Sequence, residues 1–179
     1  NMHSVPTDCP QRDERLGWMG DAQIFGPMSC WNMDMAGFYA KWARDIADTQ
    51  LKDGSVPGVC PSIGDWVIGP GKSGWADAVT VIPWIVYQYY GDKRVLEENY
   101  DAIKKWVEYM RVNSQNGLLY KNEAWGDWVP VVQSPKQPIS SAYYFYSTKL
   151  LSKMAGVLGR EKDAVEYASL AERIAAAFN

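Results

Sequence analysis

Between Met33 and Gln50 apolar residues recur at Met35, Tyr39, Trp42, Ala43, Ile46 and Ala47. This three-and-four spacing predicts a helix with one buried face, followed by a stop cluster at Gly54. From Asp77 to Tyr90 the pattern changes, because Ala-Val-Thr-Val-Ile-Pro-Trp-Ile-Val-Tyr is apolar on every side. Such a run predicts a helix covered all round, kinked or tightly started at Pro83 and stopped at Gly91. Val95 to Val112 then places Leu96, Tyr100, Ile103, Val107 and Met110 on one stripe. Glu97, Glu98, Asp101, Lys104, Lys105 and Glu108 lie largely off it, so this helix is amphipathic and faces solvent. Ser140 or Ser141 can cap a further helix to about Leu158, ended by Gly159. A last one, from about Lys162 to Phe178, is expected to bury Ala164, Ala168, Ala171, Ala175 and Phe178.

Two stretches resist any period. Residues 54 to 75 hold six Gly and three Pro, and residues 117 to 138 carry Trp125-Gly126-Asp127-Trp128 ahead of Pro130, Pro135 and Pro138. Long irregular connections of this kind are usually functional. The chain is therefore all-α with long loops. An all-round apolar helix followed by an amphipathic one is the arrangement of a helical toroid, with inner helices covered on both sides and outer helices showing one face to water. Both loops would then surround one mouth together with residues 8 to 21. Gly-Asp recurs at 20, 64, 91 and 126 without a fixed period, which marks loop chemistry and not a repeat.

The densest chemistry lies in residues 8 to 23, Asp-Cys-Pro-Gln-Arg-Asp-Glu-Arg-Leu-Gly-Trp-Met-Gly-Asp-Ala-Gln. Four carboxylates, two arginines and a tryptophan share a segment broken by Pro10, Gly17 and Gly20, which predicts an irregular stretch able to aim several acids at one point. Cleavage of a glycosidic bond needs one carboxylic acid to protonate the departing oxygen and a second carboxylate to activate water or attack the anomeric carbon. Asp8, Asp13, Glu14 and Asp21 are available. Crowding would raise one pKa while Arg12 or Arg15 keeps others ionised, but the residues alone do not assign the roles. A metal site on Asp8, Asp13 and Asp21 lacks the alternating ligand loop and glycine of a calcium hand, so no metal and no cofactor is expected. His3, the sole histidine, lies near the terminus, and His-dependent nucleophilic schemes lack a player.

Composition sharpens this picture. With 18 basic and 21 acidic residues and no Lys/Arg cluster, the chain has no footprint for nucleic acid or an anionic membrane. Nine Trp and eleven Tyr against four Phe give most aromatic surface a polar handle, which suits stacking on sugar C–H faces. Cys9, Cys30 and Cys60 form neither a disulfide framework nor a zinc motif and are expected to be small buried hydrophobes. No apolar run reaches a membrane span of about 18 residues. The compartment stays open.

Thr7-Asp8-Cys9-Pro10-Gln11-Arg12-Asp13-Glu14-Arg15-Leu16-Gly17-Trp18-Met19-Gly20-Asp21 resembles the signature of bacterial α-L-rhamnosidases of glycoside hydrolase family 78. Gly74-Trp75-Ala76-Asp77-Ala78 with Pro83-Trp84, Tyr90-Gly91-Asp92 with Leu96-Glu97-Glu98-Asn99, and Trp125-Gly126-Asp127-Trp128 agree in the same order. The resemblance implies an incomplete (α/α)6 toroid, about half of a six-hairpin glycosidase barrel, from the N-terminal part of the catalytic domain. It implies that Glu14 is the general acid and that Asp8, Arg12 and Asp21 contact rhamnose. Trp18, Trp75 and a tryptophan of the 125 to 128 loop, Trp125 or Trp128, would form aromatic walls, with Asp77 and Asp127 as further contacts. Asp77 also stands where a helix N-cap would, and Asp13 and Arg15 are expected to be structural.

In that family a Glu acting as general base in an inverting mechanism lies in the later half of the barrel, and no matching motif occurs in these 179 residues. The expected whole is a larger multidomain hydrolase acting on rhamnose-containing glycosides or polysaccharides, whose remaining polypeptide completes the barrel. Residues 1–179 alone are expected to leave the run Val79 to Tyr87 wet, to lack a complete core and to be inactive. Two alternatives remain: a non-catalytic carbohydrate-binding helical module, and another glycosidase or lyase on the same toroid.

Overall fold

The structure, a computed structural model, describes residues 2, 5–8, 13, 15–62, 69–121, 125–127 and 129–179. Six helices follow in chain order: α1 (Met19–Asn32), α2 (Ala36–Thr49), α3 (Ala78–Tyr90), α4 (Lys93–Val112), α5 (Lys136–Val157) and α6 (Glu161–Phe178). Between α4 and α5 two short antiparallel strands, β1 (Ser114–Gln115) and β2 (Leu119–Tyr120), pair around Asn116 and Gly117, both at positive φ. The odd helices α1, α3 and α5 lie side by side, α2 and α4 pack behind them, and α6 backs α5. This two-layer order of helical hairpins is a partial (α/α)6 barrel.

Helix α3 is the centre of the arrangement, packed against α1, α2, α4 and α5. Ala78, Val79, Val81, Ile82, Pro83, Ile85 and Val86 are all buried, as an all-round apolar helix requires, and Gly91 ends it with φ 70°. On α4 the stripe Leu96, Tyr100, Ile103, Val107 and Met110 is buried as its spacing predicts, and Asp92 caps the helix by accepting from the Arg94 amide. Met35, Tyr39, Trp42, Ala43 and Ile46 fill the same core from the α2 side. Each large side chain so buried contributes about 1.5–3 kcal/mol relative to exposure.

Four expectations are corrected. Residues 19–32 are helical although Gly20 looks like a breaker, because Gly20 and Gly26 serve close packing: a Cβ would meet Trp75 Nε1 at 2.8 Å and Ile85 Cδ1 at 2.7 Å. Helix α5 starts at Lys136, with Pro138 in the first turn where no intrahelical donor is needed, and Ser140 and Ser141 are buried inside it instead of capping it. On α6 the buried face is Tyr167, Leu170, Ala171 and Ile174, with Ala168 and Phe178 exposed, because the larger side chains take the contact with α5. The run Val79 to Tyr87 is not left wet: neighbouring helices bury Val79, Val81, Ile82, Ile85 and Val86, while Trp84 and Tyr87 are half-buried.

One uncovered apolar surface lies on α1, which is inside out; Val129, Val131 and Val132 ahead of α5 are exposed as well. Its inward face is Met19, Gly20, Ala22, Gln23, Gly26 and Ser29, mostly small or polar, while Ile24, Phe25, Met28 and Trp31 point outward. Trp31 is 79% exposed and Ile24 70%. A groove of about 460 Å³ beside it is lined by Pro27 of α1, Trp84 and Gln88 of α3, and Tyr143 and Tyr146 of α5. Among the described residues no helix is long and apolar enough to cross a membrane.

Polar contacts tie α6 to α4. The Asp163 carboxylate accepts from Tyr100 Oη at 2.7 Å and from Lys104 Nζ at 3.0 Å, and these partners hold its pKa below the usual carboxylate range. A lowered folded pKa means stability that is present above the unfolded value and lost as pH falls through the folded one. Asp163→Asn is expected to cost about 1 kcal/mol at neutral pH, or roughly 2–4 °C in thermal midpoint. The gap should close on acidification below the carboxylate range. An undiminished gap in acid would assign the cost to packing.

Candidate sugar-binding and catalytic site

The segment before α1 is fixed by backbone contacts. The Asp8 amide donates to the Leu16 carbonyl at 2.9 Å, so Asp8 stands opposite the approach to Trp18. Cys60 N donates to Gly17 O at 2.9 Å and Met19 N to Gly58 O at 3.0 Å, pairing Trp18 with Val59. Only glycine fits at 17, since a Cβ would lie 2.1 Å from the Cys60 carbonyl oxygen. The N-terminal segment is thereby laid on the first long loop. Asp21 follows in the first turn of α1, exposed, where the helix dipole favours a carboxylate.

Three tryptophans from three segments converge there. The Trp75 and Trp125 ring centroids are 4.7 Å apart at 85°, and Trp18 meets Trp125 at 5.2 Å and 79°, both edge-to-face contacts. Gly20 lies against the Trp75 indole, and Gly69, at φ 52°, leaves room for Trp125, whose ring a Cβ would approach to 2.4 Å. All three rings are half-buried. Trp18 of the acidic segment and Trp75 and Trp125 of the two long loops therefore meet at one end of α1 and α3. Asp127 sits in the same loop as Trp125 and accepts from the Ser134 amide at 3.3 Å, folding that loop on itself.

Asp77 departs from its expected role as a sugar contact. It is fully buried, and its carboxylate is taken up by the protein: Oδ1 accepts from Ser147 Oγ at 2.6 Å and Trp106 Nε1 at 3.1 Å, and Oδ2 from the Gly74 amide at 2.8 Å. It occupies the N-cap position of α3 without capping through its side chain. Burial pushes its pKa up, against the opposing hydrogen bonds from Ser147, Gly74 and Trp106. Gln23 was missed by the sequence reading. It is buried, and its Nε2 donates to the Gly74 carbonyl, so Gly74 is held on both sides. Its signal is the spacing Met19, Ala22, Gln23, Gly26, which continues a helical face through the acidic motif.

Glu14, Arg12 and Trp128 lie outside the described residues, as do His3 and Cys9. Asp13 is exposed, and Arg15 adopts φ 48°. Cys60 is a buried thiol, pushed up to about 12 chiefly by burial, and Cys30 is half-buried and also raised by burial. Among the described residues no group of three or more His, Cys, Asp or Glu is placed to hold a metal ion. The described part of the site thus offers three converging tryptophan rings close to the first turn of α1, where Asp21 is exposed, and such rings can stack on a pyranose face.

Residues 1–179 match the model of the bacterial alpha-L-rhamnosidase 6 hairpin glycosidase domain. The chain is 42% identical over 179 residues to an alpha-L-rhamnosidase of Streptomyces avermitilis, covering 99% of this chain and 17% of that protein. It is 40% identical over 188 residues to one of Formosa agariphila, covering 99% and 20%. The solved structure of the Streptomyces avermitilis enzyme complexed with L-rhamnose superposes with a TM-score of 0.90, at 97% of this chain and 16% of that one. The alpha-L-rhamnosidase from Dictyoglumus thermophilum superposes at 0.92 with 44% identity, covering all of this chain and 20% of that one. The chain spans about a fifth of the length of the relatives it matches. With fold, motif order and sequence in agreement over its whole length, the chain belongs to the bacterial α-L-rhamnosidase six-hairpin glycosidase domain family.

Proposed function

We propose that the polypeptide carrying this domain is an α-L-rhamnosidase that releases terminal α-L-rhamnose from glycosides or polysaccharides with inversion. The observation that carries the reading is the convergence of Trp18, Trp75 and Trp125 at the end of the helices where Asp8 and Asp21 stand. In the proposed reaction Glu14 gives its proton to the glycosidic oxygen, and the aglycone leaves as an alcohol. Water attacks the anomeric carbon from the opposite face, and its proton passes to a carboxylate that residues 1–179 do not supply. Asp8, Arg12 and Asp21 hold sugar hydroxyls, while Trp18, Trp75 and Trp125 or Trp128 wall the ring, with Asp127 at the loop edge. Asp77 has no part in these contacts.

The domain is proposed as part of a catalytic barrel within a larger hydrolase. The outward Ile24, Phe25, Met28 and Trp31 of α1 support this, since a further layer of helices would cover them. The test is hydrolysis of p-nitrophenyl α-L-rhamnoside by the complete polypeptide, with the anomer of the first product followed by proton NMR. Initial release of β-L-rhamnose is expected. Initial α-anomer would exclude inversion, and rhamnose binding without turnover would favour a carbohydrate-binding module.

A further inference from the structure

Asp77 is an ionisable group in a place where charge is costly, and its contacts suggest what that cost maintains. Its carboxylate joins three segments: the turn before α3 through the Gly74 amide, α4 through the Trp106 indole, and α5 through the Ser147 hydroxyl. Gly74 stands at φ 85°, a left-handed conformation that no side-chain-bearing residue adopts without strain. Its carbonyl is taken by Gln23 Nε2 from α1, and the Tyr143 ring packs over the position where a Cβ would lie. The next residue is Trp75, whose ring carries the aromatic wall against Trp125. We infer that Asp77 is a positioning residue: by locking the Gly74–Trp75 turn to α4 and α5 it sets the Trp75 ring, and through Trp125 and Trp18 the whole aromatic wall of the sugar site.

This assignment rests on the rhamnosidase reading only for what the wall binds. The linkage itself is geometric. A carboxylate suits the position because all three partners are donors, converging on its two oxygens. Asparagine cannot replace it, since one of its two terminal atoms is itself a donor and must face either the Gly74 amide or the Trp106 and Ser147 pair. Asp77→Asn should therefore release the turn while keeping the volume of the buried side chain. Ser147→Ala removes one donor and provides a milder variant where Asn compromises folding.

The test is a double-mutant cycle on the complete enzyme combined with crystal structures of the variants. If Asp77 acts through Trp75, Asp77→Asn raises KM for an aryl rhamnoside severalfold with kcat nearly kept, and adds nothing to KM once Trp75 is already Ala. Ser147→Ala should show the same pattern at smaller size. In the Asp77→Asn or Ser147→Ala crystal the Trp75 ring should be displaced by about 1 Å, enough to degrade stacking. Penalties on KM that add in full, or a Trp75 ring that stays in place, would overturn the assignment. A wild-type enzyme without rhamnoside turnover would instead sink the substrate reading, and the position of Trp75 in the variant crystals would still decide the positioning role.

Discussion

Exchanging Glu14 for Gln in the complete polypeptide is expected to lower turnover of an aryl α-L-rhamnoside by about 10²–10⁴-fold while rhamnose still binds. Glutamine keeps the length and hydrogen-bonding shape of the side chain but has no proton to give the departing oxygen. The loss should shrink for substrates whose leaving group departs readily without protonation, because less of their barrier depends on an acid. Near wild-type turnover on an alkyl rhamnoside would remove Glu14 from the acid role. Normal folding with no rhamnose affinity would make it a sugar ligand.

Asp8→Ala and Asp21→Ala act on a different quantity. Each removes charge-assisted hydrogen bonds to sugar hydroxyls worth about 1.5–3 kcal/mol, so each should weaken L-rhamnose binding roughly 10- to 150-fold. Titration calorimetry measures this directly. A crystal soaked with rhamnose should show both carboxylates on the ring. Carboxylates turned away and engaged only with neighbouring side chains would convert the cluster into a structural ion network.

The helices legible in the sequence were those whose burial is apolar. The α2 and α4 stripes and the all-round apolar α3 could be placed because large side chains mark the inward face. Helix α1 was illegible for the opposite reason. Its inward face is Met19, Gly20, Ala22, Gln23, Gly26 and Ser29, mostly small or polar, and its other large apolar residues point away, so hydrophobicity marks the wrong face and only the spacing of small residues traces the buried one. The site divides similarly. Trp18, Trp75 and Trp125 stand out by residue type and loop context, and they do converge. Asp77 has the same residue type as the expected ligands and the same neighbourhood in sequence. Only burial and its three donors separate it from them. Whether an acid faces a sugar or a core depends on tertiary contacts that no local pattern records.

The inverted face of α1 has a consequence for how such a protein is made. A ribosome adding about 5–20 residues each second delivers α1 long before any helices that follow residue 179. During that interval Ile24, Phe25, Met28 and Trp31 form a sticky stripe on the nascent domain. Holdase chaperones that bind exposed apolar segments should therefore engage this helix on stalled chains. For the larger protein proposed above, yield on overexpression should depend on the speed at which its later segments emerge, more than on its final stability.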